Sequence, residues 1–268
     1  MSALEEKRMY GEHREETVAY LATGQGVATV RISGDQVGRF GLASRCRARD
    51  VATTGGAVLV ATDEDVLVGP EPFESLGFGP AVAVAADADG TVFAAGEDGR
   101  VSRYGDGEWA ALGAVEEVRA LSGRFVAAAD GVFRIDGDEL ASVGLDDARD
   151  VANADGAPLA ATGDGLYRLG NGWLRESEGP FTAVAAGDGK SHAATTDALY
   201  AREGDAWETV DLPVDGPVVD VAYGECVYAV TEAGTVLVEA EPEQTADGTG
   251  GWRSRSLGLP DVAALAVA

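Results

Sequence analysis

Histidine and cysteine are nearly absent from this chain, with two of each in 268 residues. A Ser-His-Asp or Cys-His catalytic system needs an imidazole beside its nucleophile. His13 stands in the charged N-terminal stretch. His192 stands in an apolar strand-like segment, KSHAATT, and reads as a buried structural histidine. A zinc centre takes about four closely spaced N, S or O ligands, which two isolated His and two isolated Cys do not supply. Cys46 and Cys226 fall on different repeats, at opposite rims of the expected fold, so they read as free thiols rather than a disulfide.

Lysine is as scarce, at positions 7 and 190 alone. The segment Gly187-Asp188-Gly189-Lys190-Ser191 resembles the end of a phosphate loop. The first glycine of that motif would fall at 184, which is Val, and the segment joins two strands, so the reading is refused. No apolar run reaches the ~18 residues of a membrane span. No segment is long and periodic enough at 3.6 residues to be a core helix. The first sixteen residues, MSALEEKRMYGEHREE, lack the apolar stretch of a secretory signal and read as a charged tail.

A short repeat fills the remainder. Similar segments carry Val51 (RDVATTG), Val84 (AVAVAAD), Val118 (EVRALSG), Val151 (RDVANAD), Val184 (FTAVAAG), Val221 (VVDVAYG) and Val262 (PDVAALAV), spaced by 33, 34, 33, 33, 37 and 41 residues. Each unit predicts four strands. The second is continuously apolar, as in Ala57–Ala61 and Val92–Ala95, which suits burial on both faces. The third alternates, with Ser102, Arg103, Arg134 or Arg168 pointing outward. Gly/Asp/Asn turns separate them. The four tryptophans, Trp109, Trp173, Trp207 and Trp252, open the fourth strand, and Phe73 and Leu140 take that place in two other units. An aromatic recurring once per unit packs between units. The polar segment 241–251 (EPEQTADGTGG) reads as an exposed insertion.

A period of this length marks a repeat architecture with tight turns. Residues 17–43 supply three strands and 261–268 supply one orphan, so the two ends together complete a seventh unit. The predicted fold is all-β: a seven-bladed propeller of four-stranded antiparallel blades in one domain, 17–268, behind a tail, 1–16. The C-terminal strand 261–268 closes the ring against 17–43. Closure of this kind leaves only short, protected edges.

Charge is the other strong signal. Lys plus Arg total 20 against 46 Asp plus Glu, a net charge of −26. The sign opposes nucleic-acid binding, and a hydrophobic content of 46% in a regular pattern excludes disorder. In molar salt the Debye length is ~3 Å, so self-repulsion is screened while carboxylates keep the surface hydrated. The expectation is a cytoplasmic, monomeric protein of a salt-loving microbe, without membrane contact.

The units ARDVAxxxGAxLxAxxDGLYRLGNGW and GTVFAAGEDGRVSRYGDGEW resemble the blades of a haloarchaeal β-propeller family of unassigned function. GLYRL-GNGW (165–173) is also similar to short blades of bacterial sensor and regulator propellers. The resemblance spans 17–268 and implies architecture; it carries no catalytic residues and no cofactor to this chain.

Among acidic turns, Asp87-Ala88-Asp89-Gly90 opens like a calcium loop but lacks its remainder. No carboxylate pair stands out as a glycosidase pair would. The exceptional cluster is Arg45, Arg47 and Arg49, three cations in five residues on the connection from the first blade to the second. In extended chain they share one side and suit a carboxylate-rich partner or a phosphate. Pairing with nearby Asp and Glu is the competing explanation. These features favour a non-catalytic scaffold that binds a protein partner through loops beside the central channel. The alternatives are a channel-mouth hydrolase or isomerase for a small anionic or sugar substrate, and RNA or ribosome contact through the arginines. No metal or cofactor is expected. Asp50, Asp150, Asp220 and Asp261 recur at one position, which points to a structural role.

Overall fold

A computed structural model describes residues 16–153, 157–240 and 251–268. Seven four-stranded antiparallel sheets are arranged as a ring of blades. Blade 1 holds β1 (Glu16–Thr23), β2 (Gly26–Ser33), β3 (Gln36–Ser44) and, innermost, β28 (Val262–Val267). Blades 2 to 7 follow in chain order: β4–β7 (48–75), β8–β11 (81–114), β12–β15 (118–144), β16–β19 (148–178), β20–β23 (183–209) and β24–β27 (218–256). The predicted closure is present: β28 pairs antiparallel with β1, setting Ala19 opposite Val267 and Leu21 opposite Leu265. The tail and nearly all of the 241–251 segment lie outside the described residues; Gly251 begins β27 (Gly251–Ser256). Strand β1 takes in Glu16, the last residue assigned to the tail. No described helix is long and apolar enough to cross a membrane.

Hydrophobic packing is organised between blades rather than within them. Each cluster of buried residues draws on two neighbouring blades: Leu21 and Ile32 meet Tyr228 and Val238 across the 7/1 interface, and Phe93 and Val101 meet Val126 and Ile135 across the 3/4 interface. The small residues of the inner strands follow from this. Near the axis the sheets converge, and Ala and Val fill the narrowing gap, while aromatics fill the wider periphery. Trp109 donates its Nε1–H to the Leu76 carbonyl at 2.9 Å, and Trp173 to the Val143 carbonyl at 2.8 Å. Trp207 donates to Glu176 at 2.9 Å. Each reaches the preceding blade, so these rings are inter-blade ties. Ser102 departs from its predicted outward position: it is buried.

A recurring threonine closes the second hairpin of several blades. Thr62 accepts the N–H groups of Glu64 and Asp65 and donates to the Asp65 carbonyl at 2.7 Å. Thr23 and Thr162 make the same three-bond turn. This hydroxyl chemistry satisfies turn N–H groups that the ladder leaves open.

The inner strands carry a shared irregularity. In β4 (Ala48–Thr54), Ala48 lies opposite Thr62 and Asp50 opposite Ala61, which leaves Arg49 as an extra residue. The same bulge isolates Val82, Arg119, Arg149, Val219 and Ala263 in five other inner strands. It also corrects the repeat register. Leu121 and Leu265, not Val118 and Val262, are equivalent to Val51, because Leu121 lies opposite Val126 and Leu265 opposite Leu21. A bulge adds one residue, so core positions on either side of it are three apart and both face inward. Val118 and Val262 are the apolar residues before the bulge.

Candidate functional site

The central channel opens between the inner strands of all seven blades. It holds a cavity of about 400 Å³ lined by the inner strands of the blades. Most of the lining is Ala and Val. Its charged members are two trios from consecutive positions: Arg49, Arg119 and Arg149 at the bulge, and Asp50, Asp150 and Asp220 one residue beyond the bulge position. The arginines come near the start of β4, β12 (Val118–Ser122) and β16 (Ala148–Ala152), the end at which connections from the preceding blades arrive.

Each aspartate spans a blade boundary. The Val51 N–H donates to Asp50 Oδ1 and the Val84 N–H to Oδ2, both at 2.8 Å. Val151 and Val184 repeat this on Asp150 at 2.8 Å, and Val221 and Leu265 on Asp220 at 2.7 Å. One carboxylate thus satisfies two backbone donors, one of them from the next blade. Asp261 does not belong to the series: Ala264 occupies the equivalent place. Burial raises all three acids. It pushes Asp50 up to about 7, aided by repulsion from Asp150, and Asp150 up to about 6. Asp220 rises well above the ordinary range, through burial and then the charges of Asp150 and Asp50. The carboxylates therefore sense one another across the channel.

The arginines are held from the rim. Arg49 pairs with Glu97 at 2.5 Å and donates to the Ala81 carbonyl of the next blade at 3.4 Å. Arg119 pairs with Asp147 at 2.6 Å and Glu117 at 3.2 Å, and reaches the Ala148 carbonyl at 3.4 Å. Arg149 shares Asp147 at 3.5 Å. Hydrogen bonding to Arg119, the larger effect, and the nearby guanidinium charges hold the Asp147 carboxyl below its usual range. The remaining guanidinium N–H groups, among them Nε of Arg49 and Nη2 of Arg119, make no described hydrogen bond.

The sequence cluster Arg45, Arg47 and Arg49 is divided. Arg49 lines the channel, whereas Arg45 and Arg47 are exposed on the β3–β4 connection. The Arg47 backbone is tied to Asp63, its N–H donating to Oδ1 at 3.3 Å, but neither the Arg45 nor the Arg47 guanidinium has a described partner. Arg39 on β3 is likewise exposed, beside Phe40 and Leu42, which are 42% and 40% exposed. Arg119 and Arg149 escaped sequence reasoning. The available signal was an Arg two positions before the apolar anchor in R-D-V (49–51), R-A-L (119–121) and R-D-V (149–151).

The other singled-out residues have structural partners. His192 is buried in β21 (Lys190–Ala194), with Nδ1 2.9 Å from the Tyr223 hydroxyl. Burial, and to a lesser degree Lys190, lowers it to about 4, so it is neutral at pH 7. Asp188 and Gly189 have φ of 51° and 72°, the positive pair of a two-residue hairpin. Asp87 accepts the N–H groups of Asp89 and Thr91 at 3.0 and 2.9 Å and pairs with Arg124 at 2.8 Å. Its oxygens thus serve a turn and a link between blades 3 and 4. Cys46 and Cys226 form no disulfide with one another and lie in different inter-blade clusters.

The architecture and its channel define a seven-bladed β-propeller closed by strand exchange. The chain belongs to the HVO_0234-like β-propeller family, whose pattern it matches over residues 3–268. None of the curated proteins matches it significantly. Among solved structures it is similar to the computationally designed Ika8 protein, with a TM-score of 0.59 and 15% identity over 92% of this chain and 86% of the other. AztD from Citrobacter koseri, in its apo form, gives 0.56 and 12% over 91% and 83%. The extracellular domain of the putative one component system BT4673 from B. thetaiotaomicron gives 0.56 and 11%, covering 92% of this chain but 47% of that one. At such identities the likeness is one of fold alone.

Proposed function

We propose that the chain is a non-catalytic interaction scaffold of a high-salt cytoplasm. It docks an acidic protein partner on blade 1 and the β3–β4 connection, at the channel end where outer strands feed inner ones. The observation that carries this is the company of Arg39, Arg45 and Arg47. In a chain of net charge −26, these three guanidiniums have no described acidic partner, and in sequence they stand on either side of the exposed Phe40 and Leu42. An apolar pair framed by uncompensated cations suits a segment that brings both carboxylates and hydrophobic side chains. The test is affinity capture from native high-salt lysate with the wild-type chain and with Arg39, Arg45 and Arg47 all changed to Gln. A stoichiometric protein held by the first and lost by the second supports the reading. A partner retained equally by both, or no partner, refutes it.

A second reading, an enzyme acting at the channel mouth on a small anionic or sugar substrate, draws on Asp50 and Asp150, whose acidity is displaced toward neutrality. Both oxygens of each already accept backbone N–H groups. That occupation suits a structural tie better than a proton shuttle.

A further inference from the structure

The channel cavity is distinct from the exposed docking arginines, and its charges are layered. Arg49, Arg119 and Arg149 form a cationic layer near the entrance, and Asp50, Asp150 and Asp220 an anionic layer just beyond it. The two trios share blades 2 and 5 and differ in the third, blade 4 for Arg119 and blade 7 for Asp220, so the layers are stacked along the lumen. A lone anion reaching the arginines meets the aspartates behind them, and a lone cation must first pass the arginines. A molecule carrying both signs, a bond or two apart, satisfies both layers. The volume of about 400 Å³ lies within the range of small-ligand sites. The walls beyond the aspartates, Ala52, Val84, Ala185 and Val221 among them, are apolar and suit a short side chain.

We propose that this cavity binds a small zwitterion of the α-amino-acid type, its carboxylate on the Arg49/Arg119/Arg149 layer and its ammonium group toward the Asp50/Asp150/Asp220 layer. The arginines are preset for this. Rim carboxylates and the Ala81 and Ala148 carbonyls occupy some of their N–H groups and fix the side chains, while others remain for a ligand carboxylate. The aspartates are short of a cation: their described hydrogen-bond donors are neutral backbone amides. An ammonium group supplies the missing charge and displaces protons whose retention burial favours at these acids, Asp50 at about 7 among them. The contacts are short-range and enclosed, so molar salt weakens them less than it weakens surface pairs.

Isothermal titration in molar salt tests this with glycine, L-alanine and L-serine as probes, and with acetate and methylammonium as single-charge controls. The expected result is saturable binding of at least one amino acid, no saturable binding of either control, and proton release near pH 7 seen as a dependence of the heat on buffer ionisation enthalpy. Arg149→Gln, checked for a cooperative melt, should weaken binding by about tenfold or more, the cost of one charged hydrogen bond. Arg45→Gln should leave it unchanged. The control ligands need no variant, so failure of Arg149→Gln to fold leaves the test intact. Absence of amino-acid binding, binding of acetate or methylammonium equal to that of the amino acids, or full retention of binding by folded Arg149→Gln overturns the proposal.

Discussion

Asp220 accepts the backbone N–H of Leu265 at 2.7 Å, so a carboxylate of the last complete blade holds the strand that completes the first. Asp50 and Asp150 make the same link at two other boundaries. All three acids are raised in the folded state, and the consequence for stability has a definite sign. Between the ordinary carboxylate value near 4 and the folded values of about 7 and 6 for Asp50 and Asp150, the native state binds more protons than the unfolded chain. Stability must fall as pH rises through that window. Denaturant melts in molar salt from pH 4 to 8 should show this fall, on the order of 4 kcal/mol at most for Asp50. Asp50→Asn should be less stable at pH 4, because its amide accepts only one of the two N–H groups, but should flatten the slope. An unchanged slope refutes the assignment. Asp65, Asp87, Asp147 and Asp164 are shifted down, so their contribution is lost at the acid end, as pH falls below the ordinary carboxylate range.

Removal of residues 261–268 should abolish the cooperative melt or drive aggregation. It deletes Leu265, only 4% exposed, with Val262 and Ala264, and bares the β1 edge that β28 covers. Size-exclusion chromatography and a thermal melt of the truncated chain are the check; wild-type behaviour would contradict strand exchange as the source of closure.

Dilution from molar to low salt should lower the melting temperature strongly. A net charge of −26 repels itself over ~30 Å at 0.01 M salt but only ~3 Å at 1 M. A melting temperature flat across that range would refute the salt-adapted reading.

Trp173→Phe should cost about 1 kcal/mol, the value of the lost bond to Val143. Trp173→Ala should cost about 2–4 kcal/mol through lost packing at the 4/5 interface. Equal destabilisation by both would place the energy in the hydrogen bond rather than the ring.

The blade count, the strand exchange and the inter-blade tryptophans were legible because each rests on a pattern repeated around the ring. Where the pattern misled, the bulge was responsible. Val118 and Val262 mimic the anchor position because an inserted residue puts two core side chains three apart, and sequence periodicity assumes an even count. The same irregularity hid the channel charges: Arg119 and Arg149 stand far from Arg49 in the chain, and only closure of the ring places them on one lumen. The exposed pair Arg45 and Arg47 could be found from local density alone, but not their separation from Arg49.

Strand β28 is made after every other described strand, yet it is the innermost strand of blade 1. Blade 1 must therefore wait, with β1 uncovered, through synthesis of all the others. The junction it finally makes with blade 7 is correspondingly rich in side-chain ties: Arg253 to Asp35, Arg255 to the Val37 and Gly38 carbonyls, and Tyr228 to Thr17. The seam is thus set before β28 arrives, and the Leu265 N–H to Asp220 and the Thr53 hydroxyl to the Val267 carbonyl then hold that strand in a vacancy any sticky β-segment in the crowded cell would otherwise compete to fill.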